Sequence, residues 1–314
     1  MPSASGRSVR LTLALAVATL AAATLVGCGG GSAGEPPATA TGTISGTITK
    51  GPVSGATVTA FAITNGMKGN PMGSALSGST GEFTIAVGVH SGPIMLQVHG
   101  GSYMDEATGT RMNVLDADDM TCVVPSINIV AGSAMAGIQI TPLTSMAQAW
   151  AQNMAGGMTA ANIATANTRI GAAYLGAGVD ILMTHPIDPT VTGSANGVSI
   201  DSKHYGMLLA AMSKVAKDLG MTTSSSAMIT AMKNDAADGM MDGRMGAAPI
   251  NMSGMGGMRG GGNMMTTTGT TQLAAAMAAF VNDLSRNKSG VTNVAEMQAL
   301  MNHLSQLGAS GGRL

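Results

Sequence analysis

From Thr43 the chain alternates apolar and polar residues. Thr43-Ile44-Ser45-Gly46-Thr47-Ile48-Thr49 reads as a half-buried strand, because successive side chains of a strand point to opposite faces. Lys50-Gly51-Pro52-Val53-Ser54-Gly55-Ala56 is a turn. Thr57-Val58-Thr59-Ala60-Phe61-Ala62-Ile63 is the next strand, closed by the hairpin dipeptide Asn65-Gly66. Segments 81–87 and 93–98 repeat the pattern, and 101–141 adds further short strands. Short strands with turn signals at this spacing predict an antiparallel β-sandwich over residues 43–141.

At Pro142 the period becomes helical. Thr141 is placed as an N-cap with Pro142 at the first helical position. Helices are predicted over 142–151, 158–174, 202–219, 224–237, 272–287 and 291–307. In the third, Tyr205, Leu208, Leu209, Met212, Val215 and Leu219 fall on one face. Residues 180–189, with Pro186 and Pro189, form a turn-rich connector. The expected class is α+β, an N-terminal antiparallel β-sandwich domain at 43–141 followed by a C-terminal all-α domain at 142–308.

Residues 1–27 carry Arg7 and Arg10 and then an apolar run ending in Leu25-Val26-Gly27 before Cys28. This is the layout of a secretory signal peptide, and the run is short for a transmembrane helix. Leu25-Val26-Gly27-Cys28 resembles the lipobox of bacterial lipoproteins. The resemblance implies acylation of the Cys28 thiol and cleavage that leaves Cys28 first in the mature chain, with the lipid bilayer as its partner. Anchoring by several acyl chains is in effect permanent. Gly29, where an Asp would otherwise stand, fits outer-membrane delivery in that family's sorting pattern. Residues 28–42, rich in Gly, Ser, Ala, Thr and Pro with Glu35 as the one charge, read as a flexible tether.

Two further resemblances follow from the strand region. Gly46-Thr47-Ile48, Pro52-Val53-Ser54-Gly55-Ala56-Thr57-Val58 and Ser79-Thr80-Gly81-Glu82-Phe83 resemble the carboxypeptidase-regulatory-like β-sandwich. That family implies a transthyretin-like or Ig-like module without catalytic residues. Thr141-Pro142-Leu143-Thr144, Asn162-Ile163-Ala164-Thr165-Ala166-Asn167 and Asp180-Ile181-Leu182 with Pro186 and Pro189 are similar to exported proteobacterial lipoproteins in which a helical domain of unassigned activity follows such a sandwich.

Composition narrows the functional classes. Net charge is −1, so nothing argues for nucleic acid as a partner. Charged residues make up 10% and aromatics 2%, whereas Gly reaches 45 and Met 28. The core is therefore aliphatic and thioether. With Cys28 acylated, Cys122 has no partner in the chain and is expected to be a buried, inert thiol in a β-like run.

Candidate chemistry is sparse. His90, His99, His185, His204 and His303 show no metal-ligand spacing. His185 reads as a turn residue, and His204 and His303 as residues on helix surfaces. Asp105, Glu106, Asp116, Asp118 and Asp119 form an acidic cluster read as solvated turn carboxylates rather than a Ca²⁺ site. Asp235-x-x-Asp238-Gly239-x-x-Asp242-Gly243 reads as a helix end followed by a glycine turn. No phosphate loop or dinucleotide motif is present, and the chain reads as no enzyme. The expected function is a lipid-anchored cell-envelope protein that acts as a non-catalytic binding or structural module for a protein or glycan partner.

One stretch points elsewhere. The loop 239–270 is crowded with Met and Gly and includes Met252-x-x-Met255-x-x-Met258. Thioethers are soft ligands that select Cu(I). Met252, Met255 and Met258 are therefore candidate ligands in an alternative reading, a periplasmic Cu(I)-handling protein. Against it, a chain that uses Met as a general apolar residue also places it in loops.

Overall fold

The computed structural model describes residues 41–221, 223–253, 263–264 and 271–314. Nine strands come first. They are β1 (Thr41–Ile48), β2 (Thr57–Thr64), β3 (Met67–Leu76), β4 (Glu82–Gly88), β5 (His90–His99), β6 (Ser102–Met104), β7 (Arg111–Asn113), β8 (Met120–Ile129) and β9 (Ala134–Ile140). The helices are α1 (Pro142–Asn153), α2 (Ala160–Tyr174), α3 (Ile200–Asp218), α4 (Ala227–Ala236), α5 (Thr271–Asn282) and α6 (Gln298–Ala309). A small hairpin, β10 (Arg244–Met245) and β11 (Ala248–Pro249), lies between α4 and α5. The class is α+β.

One sheet has the order β4-β1-β9 and the other β3-β2-β5-β8. In β4 the period-two pattern is visible directly: Phe83, Ile85 and Val87 are buried, and Glu82, Thr84 and Ala86 are exposed. The larger sheet is antiparallel throughout, with Val58 opposite Val98 and Leu96 opposite Cys122. β9 departs from the all-antiparallel expectation, because it runs parallel to β1 with Ile48 opposite Ile140. Parallel neighbours need a long crossover, and the strands between β1 and β9 supply it. Gly46 sits where this pairing shifts register, and a Cβ there would lie 1.9 Å from the Ile138 carbonyl oxygen.

β3 was illegible as a strand because it holds Gly69, Pro71 and Gly73 and few apolar residues. Its formation depends on the turn before it. Asn65 and Gly66 have φ of 52° and 73°, the left-handed geometry that folds a two-residue hairpin back on itself. As an edge strand it tolerates proline. The hairpin is also docked: the Met158 N–H donates to the Gly66 carbonyl at 2.8 Å, between α1 and α2.

Helix boundaries follow local chemistry. At α1, Thr141 Oγ1 accepts from the Thr144 N–H and Thr144 Oγ1 from the Thr141 N–H, a reciprocal capping box behind Pro142. Thr159 caps α2 from one side only, its Oγ1 accepting from the Asn162 N–H. α5 stops at Asn282, short of the predicted end, because the Asp283 carboxylate captures the Ser285 N–H and hydroxyl. The Asn287 amide then ties the Val281 and Val291 carbonyls at 3.0 and 2.7 Å. Such local side-chain bonds offer the backbone an alternative to the helix ladder.

The strands and helices form one compact unit with two apolar clusters. One is built mainly from β-strand residues such as Ile44, Val58, Ile85, Leu96 and Ile140. The other joins α1 to α6 and takes in Ile63, Met95 and Val123 from the strands. α1 packs on β8, α2 and α4 together, and α3 on α5. Polar bonds fix the seam: the Thr121 N–H donates to Ser145 Oγ at 2.9 Å and Asn167 Nδ2 to the Val123 carbonyl at 3.0 Å. Among the described residues no helix is long and apolar enough to cross a membrane.

Candidate functional site

The densest group of ionisable and hydroxyl side chains lies between the strands and the helices. Lys50, in the turn after β1, is 0% exposed, and Glu106, in the turn after β6, is 1% exposed. Lys50 Nζ lies 3.1 Å from Glu106 Oε2 and donates to Ser213 Oγ on α3, and the Ser213 hydroxyl donates to Glu106. The ammonium also sits 5.3 Å from the centre of the Tyr103 ring. Asp105 Oδ1 accepts from the Thr108 N–H and hydroxyl, both at 2.8 Å, and its Oδ2 from Ser225 Oγ at 2.6 Å.

From there a hydroxyl chain continues. Tyr103 OH is 2.8 Å from Ser225 Oγ, and Ser224 Oγ donates to the Asn113 carbonyl at 2.7 Å. Ser226 Oγ donates to Asp118 Oδ2 at 2.7 Å, and Thr230 Oγ1 reaches Asp118 Oδ1. Ser226 stands at the head of α4 yet makes no side-chain cap bond, because its backbone is already helical (φ −63°, ψ −26°) rather than extended as an N-cap requires.

The ionisation pattern is asymmetric. Burial opposes charge on Lys50, but Glu106, Tyr103 and Asp105 outweigh it and hold the ammonium above its ordinary range. Burial pushes the Glu106 carboxyl up, and Asp105 adds to it against the pull of Lys50. Burial acts on Asp105 too, yet Lys50 and the Ser225 and Thr108 bonds leave it below its ordinary value. Asp105 is thus the carboxylate that stays ionised, and Glu106 the one that takes a proton more readily. A serine beside a lysine amine could in principle form a nucleophile pair. Here Lys50, Ser213 and Glu106 are sealed from solvent, so no substrate reaches the hydroxyl, and the chemistry joins two parts of the fold.

This corrects the reading of the acidic cluster as solvated turns. Asp105, Glu106 and Asp118 are buried and Asp119 is half-buried; only Asp116 keeps the expected exposure. Asp116 and Asp119 flank His99 at 3.8 and 2.9 Å. The neglected signal was Lys50 in a chain so poor in charge, together with three consecutive serines. His204 is likewise buried rather than on the surface, and His303 is half-buried. His204 Nε2 donates to the Glu296 carbonyl at 3.2 Å and His303 Nε2 to the Ala172 carbonyl at 2.6 Å, pinning helices together. His185 keeps the exposure expected of a turn residue, with Nδ1 3.1 Å from Gln139 Oε1, and partial desolvation of its ring lowers its pKa.

Cys122 is fully buried, and burial drives its thiol far above the ordinary value, as an inert core cysteine requires. Asp235 belongs to no glycine turn alone. It is buried, and its Oδ1 accepts from the Asp242, Gly243 and Arg244 N–H groups at 3.0, 2.7 and 3.2 Å. It thereby clamps the start of the Met/Gly-rich stretch to α4. Burial lifts its pKa to about 7 against those three bonds.

Of the candidate Cu(I) ligands, Met252 is 3% exposed and packs in the helical cluster with Met241 and Met264. Met255 and Met258 lie outside the described residues, as do Cys28 and the rest of the leader and tether before Thr41. The Met264 N–H donates to the Ile250 carbonyl at 2.7 Å, and Asn251 bridges to Asn263. Among the described residues no group of three or more His, Cys, Asp or Glu is arranged to hold a metal ion.

Several surface clefts are large enough for small ligands, and two of them run between helices. One of about 490 Å³, apolar, lies between α3 and α5 along Val215, Leu219 and Ala276. The other, about 550 Å³ with a mixed polar and apolar lining, runs between α1 and α4. No protein-family model matches the chain, and no curated protein matches it.

Proposed function

We propose that this chain is a lipid-anchored protein of the cell envelope, held in the outer membrane through acylated Cys28, that acts as a non-catalytic binding or structural module. Leu25-Val26-Gly27-Cys28 behind an apolar run supports the anchor. The observation that carries the module is the buried junction of Lys50, Glu106, Asp105 and Ser213. It spends the most reactive side chains on locking strands to helices, as a rigid scaffold requires. We also read the two sheets as facing layers of a β-sandwich of the carboxypeptidase-regulatory-like kind, a reading supported by the apolar cluster to which both contribute. The test is metabolic labelling with a palmitate analogue in a bacterial host. Label and membrane fractionation are expected in the native chain and lost in Cys28→Ser; a native chain that stays unlabelled and soluble refutes the anchor.

A second reading, Cu(I) handling by Met252, Met255 and Met258, is favoured by the bridge between Asn251 and Asn263, which draws together the two sides of a Met-rich loop. Met252 would have to leave the core to serve. Competitive Cu(I) titration against a chain with 239–270 replaced by a Gly/Ser linker decides it, since tight binding must vanish with the loop.

A further inference from the structure

The groove between α1 and α4 is lined by Gln148, Gln152, Asn153, Lys233, Asn234 and Asp238, with Ala149, Ala237 and Met245 as its apolar surface. Its polar groups are ordered by bonds that start in the core. Thr121 Oγ1 donates to Gln148 Oε1 at 3.1 Å, and the Gln148 Nε2 donates to Met158 Sδ at 3.7 Å and to Gln152 Oε1. With its Oε1 taken by Gln148, Gln152 presents both Nε2 protons to the groove. Asn153 is fixed the opposite way: its Nδ2 donates to the Ala149 carbonyl at 2.8 Å, leaving Oδ1 as an acceptor.

The remaining groups complete the set. Lys233 Nζ gives one proton to the Asp119 carbonyl at 2.8 Å and keeps two. The half-buried Asn234 amide has neither end committed within the described residues. The exposed Asp238 carboxylate accepts from the Met240 and Gly246 N–H groups at 3.0 and 2.8 Å and balances the Lys233 ammonium in charge.

We propose that this groove binds a neutral oligosaccharide. Resting on the reading of the chain as a binding module, this names its partner class. A sugar hydroxyl is donor and acceptor at once, and adjacent fixed amides offer the matching pair of edges. The C–H face of a pyranose ring meets the alanines and Met245. One ammonium balanced by one carboxylate gives little purchase to a polyanion, and a volume of about 550 Å³ admits roughly two rings by the usual scale of ligand pockets.

The experiment is calorimetric titration of the purified full chain, in a detergent without a sugar headgroup, with chitotriose, cellotriose and maltotriose. At least one is expected to bind with a dissociation constant of millimolar or lower. The Q152A/N234A variant should weaken that binding by about tenfold or more, the scale of one or two lost hydrogen bonds. Q152A, at an exposed position, serves alone should the double variant fail to fold. Failure of all three sugars to bind at millimolar concentration, or equal binding by the variant, overturns the proposal. Palmitate labelling of Cys28 is independent of either result, so the anchor and the sugar site fail separately.

Discussion

Lys50→Met tests whether the buried junction holds the fold. The substitution keeps the length and apolar stem of the side chain and deletes the ammonium that faces Glu106 at 3.1 Å and the Tyr103 ring at 5.3 Å. Glu106 is then left at 1% exposure with Ser213 alone, and Asp105 loses its countercharge. Breaking a buried pair from one side costs about 3–5 kcal/mol, a large share of the roughly 5–15 kcal/mol that holds an ordinary domain. The loss should depend on pH. The Glu106 pKa is already raised, and Lys50 is what opposes the rise, so in the variant it climbs further. A raised carboxyl stabilises fully below its ordinary value of 4.5 and loses that contribution as pH rises toward the folded value. The penalty is therefore larger at pH 8 than at pH 5. Urea unfolding followed by fluorescence of the single tryptophan, Trp150 on α1, measures it. K50M/E106L/S213A, which replaces the group with apolar side chains, should recover at least half, since Asp105 keeps its Thr108 and Ser225 bonds. A K50M loss below about 1 kcal/mol at pH 8, on the scale of a surface pair, would refute the reasoning. So would an equal loss at both pH values.

Asp235 makes the native chain itself pH-sensitive: with a folded pKa of about 7 against an ordinary 3.8, its contribution is full below pH 3.8 and falls by about 4 kcal/mol by pH 7. Asp235→Asn keeps the acceptor for the three N–H groups and should flatten that slope in urea titrations from pH 5 to 8, whereas Asp235→Ala should destabilise at every pH; a native slope unchanged in D235N rejects the clamp. In a Cys28→Ser background Cys122 should resist a thiol reagent at pH 8 until denaturant is added, and stoichiometric labelling of the folded chain would contradict its burial. Gly46→Ala should cost about 2–4 kcal/mol, because its Cβ would meet the Ile138 carbonyl oxygen at 1.9 Å where β1 pairs with β9; a Tm within a degree or two of native would show that the register relaxes.

Much of the fold was legible because its signals are local. Alternation placed β1, β2, β4 and β5, and Thr141 with Pro142 placed the start of α1. The buried Cys122 was likewise readable from the β-like run around it. What the residues could not announce was which of them would meet. Lys50 and Glu106 are 56 residues apart, and Lys50 and Ser213 are 163 apart. A lysine in a turn and a cluster of acids look solvated until the α3 and α4 helices close over them. Periodicity reports which face of an element is apolar and nothing about partners across the fold. The parallel pairing of β9 with β1, the edge strand β3 and the proton balance between Asp105 and Glu106 all belong to the tertiary structure. There, removal from water turns ordinary polar side chains into obligatory partners.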